Sequence, residues 1–280
     1  MARNFLLDRI ILAGKGLQSR LFSYILGPNC YAIIAKSSEG LFAVDPRDRG
    51  VGRQHLLRGA YGQLELKRLK SFVGPASRIL VVGSHIGSMV IPLAMCSKEI
   101  IALEPNPDSN RLLRLNLTIN SISNCLVMDV AANDRSGYID MFANTANSGG
   151  SKRVPQHIDY AYVYDKPRRI QVPCARLDEL LTEHEFDLIL MDIEGSEYFA
   201  LCGMPKILAA SKALAVEFLP HSLRNVGNIG VDDFLTPISP HYSQLFIPSK
   251  SLSVSRQDFN KVLRSMFDRD EGDDGLIFTR

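Results

Sequence analysis

The chain has 280 residues, enough for one large domain or two small ones. Hydrophobic residues make up 46% and charged residues 22%, which excludes the low-hydrophobicity, high-charge composition of disordered proteins. A formal net charge of +2 gives no broad basic surface, so we do not expect general nucleic-acid binding. The five cysteines form no C-x-x-C pair, which favours free thiols and a cytoplasmic location.

Residues 1–60 predict an N-terminal appendage made of a helix and a β-hairpin. Residues 5–26 interleave apolar and basic side chains as an amphipathic helix does, with a break expected near Gly14 and Gly16. We expect this helix to pack on its own domain or on a second subunit, with contact to a membrane surface as the alternative. Residues 31–44 place two β-prone runs around a turn, which predicts the hairpin. The sequence has no run of about 18 apolar residues and no small-residue cleavage site after an apolar core near its start, so we expect neither a membrane-spanning helix nor export.

Residues 61–280 predict the main domain, in which helices and strands alternate. We predict strands over 79–83, 99–104, 125–130, 186–192, 214–219 and 276–279, and helices over 62–73, 89–95, 109–120, 178–183 and 197–210. Such alternation is typical of βαβ units, and therefore of a mostly parallel sheet with helices on both faces. This alternation is interrupted over 144–169, which we predict to be a long loop. The loop contains three tyrosines and five basic residues, and we expect it to determine substrate specificity.

A glycine turn follows the first strand of this domain. In Gly83-Ser84-His85-Ile86-Gly87 the glycines let the backbone approach a ligand closely, although a tight structural turn explains them equally well. The G-x-x-x-G spacing differs from the G-x-G-x-x-G of dinucleotide binders. Glu104 ends the next strand, where a carboxylate can accept hydrogen bonds from both hydroxyls of a ribose. Together these features predict nucleoside binding.

Five motifs follow one another along the main domain. They are VVGSHIG at 81–87, ALEPNPDSNRLLRLNLTIN at 102–120, AAND at 131–134 with a later glycine, V-x-x-x-x-LDEL at 172–180 and LILMDIEGSEYFALCG at 188–203. They resemble the FkbM-type family of S-adenosylmethionine-dependent methyltransferases. The resemblance implies a Rossmann-like class I methyltransferase fold, with a seven-stranded, mostly parallel sheet whose last strand is antiparallel. It also implies S-adenosylmethionine as cofactor and methyl transfer, usually to a hydroxyl oxygen of a small molecule.

The resemblance and the strand ends together give the candidate site. The predicted cofactor-binding residues are Gly83, Ser84, His85, Gly87, Glu104, Pro105, Asn106, Asp129, Ala131 and Asp192. The predicted catalytic residues are His221, Asp192, Glu194 and Glu217. His221 is the first candidate for the base because imidazole titrates near neutral pH. We predict no bound metal, with Mg²⁺ on the three carboxylates as the alternative.

Two positions depart from the family pattern. Val81 stands where the family often has aspartate, and Leu190 stands where it often has lysine. The non-enzyme alternative is therefore a degenerate methyltransferase fold that binds a nucleoside or a partner protein. A nicotinamide-dependent oxidoreductase is the rival enzyme class, for which the glycine spacing is wrong. We predict O-methylation of a sugar, glycolipid precursor or secondary metabolite, and leave open whether the protein is a homo-oligomer.

Overall fold

The N-terminal part of the computed structural model consists of a long helix, a hairpin and two shorter helices. The model describes residues 5–27 and 29–280, so the first four residues of the predicted appendage lie outside the described part. The elements are α1 (Phe5–Leu26), β1 (Ile33–Ser37), β2 (Gly40–Val44), α2 (Val51–Arg58) and α3 (Gln63–Lys70). The antiparallel hairpin is confirmed. The predicted break in α1 is wrong, because the helix runs through both glycines.

The hairpin packs on the main sheet, while much of α1 remains exposed. Phe42, Ala43 and Val44 are buried in the same apolar cluster as the first strand of the main domain. Leu17 and Ile25 of α1 stay in contact with solvent. None of the helices in the described part of the chain combines the length and apolar character needed to cross a membrane.

The next elements reproduce the predicted alternation. They are β3 (Arg78–Val82), α4 (Val90–Ala94), β4 (Glu99–Leu103), α5 (Pro107–Ile119) and β5 (Cys125–Met128). Asn106 caps α5, since its side chain accepts a hydrogen bond from the Asp108 backbone N–H at 3.1 Å. Asn116 on α5 donates to the backbone oxygens of Ala43, at 3.1 Å, and Ile86, at 2.8 Å. This one amide therefore ties the hairpin to the glycine turn.

The segment after β5 forms a second sheet where we predicted mostly loop. Its elements are β6 (Ala131–Ala132), β7 (Gly137–Ala143), β8 (Lys152–Arg153), α6 (Tyr160–Val163), β9 (Arg168–Ala175) and α7 (Leu177–Leu180), and its strand order is β6-β9-β7-β8. The prediction of an unstructured 144–169 loop is thus partly wrong. The sequence does not predict these strands for two reasons. β7 and β9 pair across some 30 residues, with Met141 opposite Ile170, so no local turn indicates the pairing. Their exposed faces also carry charged residues.

The C-terminal half completes the main sheet. Its elements are β10 (Leu188–Met191), α8 (Glu197–Cys202), α9 (Pro205–Ala210), β11 (Ala213–Phe218), α10 (Pro220–Ser222), α11 (Val231–Leu235), β12 (Gln244–Ile247), β13 (Leu252–Ser255), α12 (Phe259–Asp268) and β14 (Asp273–Thr279). The helix predicted over 197–210 is two helices, because Pro205 cannot continue α8 and instead occupies the first turn of α9.

The main sheet has the strand order β13-β12-β14-β11-β10-β3-β4-β5. The five strands from β11 to β5 are parallel, and the last strand, β14, is antiparallel to β11 as predicted. The class is confirmed, but eight strands replace the predicted seven, since β13 adds an antiparallel edge to β12. Helices cover both faces: Ile79 and Val81 of β3 face one apolar cluster, and Leu80 and Val82 face the other.

Candidate active site

A cavity of about 500 Å³ opens at the carboxyl ends of β3, β4, β10 and β11. The chain runs outward from β3 through β4 to β5 and then returns to place β10 on the other side of β3. Open α/β sheets bind ligands at such a reversal of strand order. Seven of the ten predicted cofactor-binding residues line the cavity, namely Gly83, Ser84, His85, Glu104, Pro105, Ala131 and Asp192.

The other three predicted cofactor-binding residues are not among those that line the cavity. Gly87 has a φ of +91°, and a Cβ there would lie 2.7 Å from the Leu113 side chain. Asn106 caps α5 as described above. Asp129 pairs with Arg114 at 2.5 Å on an exposed surface. These three residues shape the surroundings of the cavity, and the structure does not place them in its wall.

The glycine turn brings the ends of β3 and β10 into contact. Gly83 has a φ of +88°, in the left-handed region that favours glycine. A Cβ at this position would lie 1.9 Å from the backbone oxygen of Asp192. Any side chain at Gly83 would therefore push apart two strand ends that both line the cavity.

The Glu104 carboxylate accepts a hydrogen bond from the glycine turn. The side chain is only 6% exposed, and its two oxygens accept hydrogen bonds from the backbone N–H groups of His85, at 2.7 Å, and Asn106, at 2.8 Å. Burial raises its pKa to about 7, although both hydrogen bonds act in the opposite direction. Each oxygen keeps a further lone pair, so the carboxylate can also accept from ligand hydroxyls.

His85 belongs to a hydrogen-bonded chain that the sequence did not reveal. Its Nε2 lies 2.7 Å from the Ser148 hydroxyl, which donates to an Asp48 oxygen at 2.7 Å. Burial lowers the pKa of His85 to about 4, so its imidazole is neutral at physiological pH. These hydrogen bonds connect the glycine turn to two segments that are distant in sequence. No local sequence motif indicates that Ser148 or Asp48 would be a partner.

Three of the four predicted catalytic residues form an acidic cluster in the cavity. Asp192, Glu194 and Glu217 each offer an oxygen within 4.8 Å of those of the other two. Burial, reinforced by repulsion from the neighbouring carboxylates, raises the pKa of Asp192 and Glu217 well above the ordinary range. Glu217 is 7% exposed, and its Oε2 has no hydrogen-bond partner. Asp192 is the member that solvent reaches through the cavity.

Glu197, next to this cluster, has a structural role. Its Oε1 accepts hydrogen bonds from the backbone N–H groups of Ile193, at 3.1 Å, and Gly195, at 3.2 Å. Glu194 itself has a φ of +58°. Glu197 therefore holds the tight turn that presents Glu194 to the cavity.

Lys152 supplies the positive charge of the cluster. Its Nζ donates to Glu194 Oε2 at 2.8 Å and lies 4.8 Å from the centre of the Tyr162 ring. Burial lowers the pKa of Lys152, but the Glu194 carboxylate more than offsets this and leaves the pKa above its ordinary value. Sequence reasoning noted Lys152 only as one of five cations in the 144–169 segment. Its partner lies 42 residues further on, so no spacing rule identifies the pair.

His221, the first candidate for the base, is not among the residues that line the cavity. Its backbone oxygen accepts a hydrogen bond from the Tyr162 hydroxyl at 3.3 Å. The catalytic role of its imidazole stays a prediction.

The three carboxylates are close enough to bind a divalent cation through oxygen atoms. Lys152 already provides one positive charge to Glu194 in the same place. The absence of a metal therefore stays a prediction.

The two departures from the family pattern are neighbours in space. Val81 and Leu190 are partners in the parallel ladder between β3 and β10, and both line the cavity. An isolated aspartate or lysine at either position would be a buried charge without a partner. Because both positions are apolar, this pair itself adds no charge to the cavity wall.

The cavity residues fit an adenosyl cofactor with a positive sulfonium. The Glu104 carboxylate suits the ribose hydroxyls, and the turn at Gly83 permits close approach of the ligand. Three carboxylates face one ammonium group at the other end, and this excess negative charge complements a cation.

Comparison with known proteins gives a family and several similar proteins. A family model described as the methyltransferase FkbM domain matches residues 82–235. The chain is 26% identical over 138 residues to the 2-O-methyltransferase NoeI of Sinorhizobium fredii (strain NBRC 101917 / NGR234), a match that covers 45% of this chain. It covers 55% of NoeI, so the chain spans about half the length of this curated relative.

Similar solved structures include two methyltransferases. The tRNA m1G37 methyltransferase of M. jannaschii has a TM-score of 0.44 and 12% identity, with 90% of this chain and 58% of that chain covered. The magnesium protoporphyrin IX methyltransferase of Synechocystis PCC 6803 has a TM-score of 0.41 and 10% identity, with 78% and 75% covered. The family match extends over more than half of the chain, and the protein therefore belongs to the FkbM-type family of S-adenosylmethionine-dependent methyltransferases.

Proposed function

We propose that the protein is an O-methyltransferase that methylates a hydroxyl group of a sugar, glycolipid precursor or secondary metabolite. The observation that carries this proposal is the Asp192 carboxylate, which solvent reaches in the cavity at the strand ends and whose pKa is raised. A hydroxyl acceptor needs a base for its proton, and a carboxylate with a raised pKa serves better than an ordinary one. The 2-O-methyltransferase among the relatives supports the same acceptor atom.

In this proposal the glycine turn and Glu104 hold the adenosyl part of the cofactor. Bound S-adenosylmethionine supplies an already activated methyl group, so the protein mainly aligns the acceptor and excludes water. The acidic cluster attracts the positive end of the cofactor toward Asp192. Ser84 and Pro105, which line the same wall, border the bound nucleoside.

Asp192 is the residue that we assign as the base. Glu194 is already bound to Lys152, and Glu217 lies deeper, with its free oxygen buried. Both nevertheless act on Asp192, because their negative charges raise its affinity for a proton. Since the pKa of Asp192 is raised, its carboxyl loses its proton at a higher pH than an ordinary aspartate does, and we expect the methylation rate to increase with pH over that range.

A catalytically degenerate nucleoside-binding protein is the second candidate, and the apolar pair of Val81 and Leu190 is the observation that favours it. Incubation with isotope-labelled S-adenosylmethionine and a panel of sugars, glycolipid precursors and secondary metabolites separates the two. Label in a hydroxyl-derived methyl ether supports the O-methyltransferase. Cofactor binding without transfer to any member of the panel favours the degenerate protein.

Replacing Glu104 with alanine is expected to weaken S-adenosylmethionine binding by about 1–3 kcal/mol, or roughly 5- to 150-fold in Kd. The substitution removes the partner of the ribose hydroxyls and of two backbone N–H groups. Calorimetric titration measures the change. Glu99→Ala is the matched control, because Glu99 lies at the opposite end of β4 and pairs with Arg78 at the surface. Equal Kd values for Glu104→Ala and the parent would refute the ribose assignment.

A further inference from the structure

A smaller cavity of about 300 Å³ lies beside the candidate active site. Four cationic side chains line it, Lys15 of α1, Arg49 before α2, and Arg53 and Arg58 of α2, and no carboxylate does. We call these four residues the cationic groove. Among the described residues, no carboxylate lies within ion-pair distance of any of the four.

Arg49 is the most unusual member of the groove, because it is buried and neither Asp48 nor Asp45, whose negative charges attract it, forms an ion pair with it. The residue is only 6% exposed, and its guanidinium donates to the backbone oxygens of Pro46 and Arg47 and lies 4.2 Å from the Phe22 ring centre. The adjacent Asp48 carboxylate accepts instead from Ser148 and from backbone N–H groups. Charged side chains this buried are normally paired with an opposite charge. Among the described residues the groove therefore has four cationic groups and no ion-paired carboxylate, a charge balance that suits an anionic ligand.

The cationic groove is continuous with the candidate active site. Lys15, Gly50 and Gln54 line both cavities. The surrounding segment is also strongly basic, since residues 1–60 contain nine Lys and Arg against four Asp and Glu, while the whole chain has a net charge of only +2. An anion in the groove would thus belong to a molecule that can extend into the methylation site.

Several other cations are already engaged by protein groups, and Arg153, which lines the active-site cavity, donates to the Asn133 side-chain oxygen at 2.6 Å and lies over the Phe199 ring. Lys152 pairs with Glu194, Arg168 with Asp108, and Arg169 with Asp140. Three of the five cations of the 144–169 segment are therefore neutralised by ion pairs.

We propose that the cationic groove binds a phosphate or diphosphate group carried by the methyl acceptor. Guanidinium groups match phosphate oxygens through paired N–H donors, and three of them with an ammonium suit a group of two or more negative charges. The acceptor is then a phosphorylated compound, either soluble or attached to a lipid. This assignment rests on the proposed function for the identity of the acceptor, but the anion site itself can be tested alone.

The test is calorimetric titration of the full chain with inorganic pyrophosphate. The Arg53→Gln/Arg58→Gln variant removes two exposed guanidinium groups, and we expect it to weaken pyrophosphate binding at least about tenfold. Arg20→Gln/Lys36→Gln is the matched control, because both are exposed cations of the same N-terminal segment that line neither cavity. It is expected to bind pyrophosphate like the parent. No binding by the parent, or equal losses in both variants, would overturn the proposal.

Two further experiments are added. The first distinguishes a lipid-linked phosphate from a soluble one, and the second tests the groove assignment separately from the proposed function. Vesicles of phosphatidylcholine with phosphatidic acid that sediment the parent but not Arg53→Gln/Arg58→Gln indicate a lipid-linked phosphate. Pyrophosphate binding without sedimentation indicates a soluble acceptor. Titration with S-adenosylmethionine is run in parallel, with equal Kd values expected for the parent and this variant. Pyrophosphate binding without cofactor binding would contradict the proposed function and leave the groove assignment standing, and the reverse result would overturn the groove alone.

Discussion

Replacing Asp192 with asparagine is expected to lower the methylation rate constant about 100- to 10,000-fold, the range typical for loss of a general base. Asparagine has nearly the same shape but cannot take the proton of an acceptor hydroxyl. The measurement is single-turnover transfer of labelled methyl to an acceptor identified from the panel, at saturating cofactor. His221→Ala is the matched comparison, and we expect it to keep the rate within a few-fold because His221 lies outside the cavity lining. A large loss for His221→Ala with little change for Asp192→Asn would reverse the assignment of the base.

Two additional readouts distinguish chemistry from structural damage in Asp192→Asn. A carboxyl whose pKa is raised in the folded state, as that of Asp192 is, binds its proton more tightly there than in the unfolded chain. The stability linked to that proton is present below the unfolded pKa and is lost as pH rises toward the folded pKa. At pH 8 the asparagine variant should therefore unfold with a higher free energy than the parent. Its rate should also lose the rise with pH that the parent shows.

Replacing Lys152 with methionine is expected to lower the free energy of unfolding by about 3–5 kcal/mol. The change leaves the Glu194 carboxylate largely buried, with its Lys152 partner gone and two other acids close by. Urea denaturation measures the loss. Lys70→Met is the control, because Lys70 pairs with Glu39 at 3.0 Å on a more exposed surface, where such pairs contribute about 0–1 kcal/mol.

The double variant Lys152→Met/Glu194→Gln tests the cause of that destabilisation. Removing both charges leaves no uncompensated ion, so we expect this variant to recover much of the lost stability. If Lys152→Met is no less stable than Lys70→Met, the buried pair contributes little. The acidic cluster would then be held by other interactions.

The sequence predicted those parts of the site that depend on local order along the chain. Gly83 and Glu104 follow consecutive buried strands, and parallel strands bring their carboxyl ends to one edge of a sheet. Asp192 directly follows β10, which pairs with β3 on the side opposite β4. Strand and turn chemistry therefore placed all three in one cavity without knowledge of any distant contact.

The residues that the sequence did not place depend on contacts between distant segments. Lys152 reaches the cavity because β8 pairs with β7 in the second sheet, and Ser148 connects His85 to Asp48 across 100 residues. The role of His221, four residues after Glu217 at the end of β11, stays a prediction, because position along the chain does not determine where a loop side chain lies. The position of a residue along the chain predicts that it lies at the end of a strand. The loops that complete the site depend instead on tertiary packing.

Calorimetric titration of the unmodified protein with S-adenosylmethionine and S-adenosylhomocysteine, with NADH as control, tests the central claim most directly. We predict that both adenosyl ligands bind with one site per chain, that Glu104→Ala weakens both, and that NADH does not bind. No heat with either adenosyl ligand, or equal affinity in Glu104→Ala and the parent, would contradict the assignment of this cavity as the cofactor site.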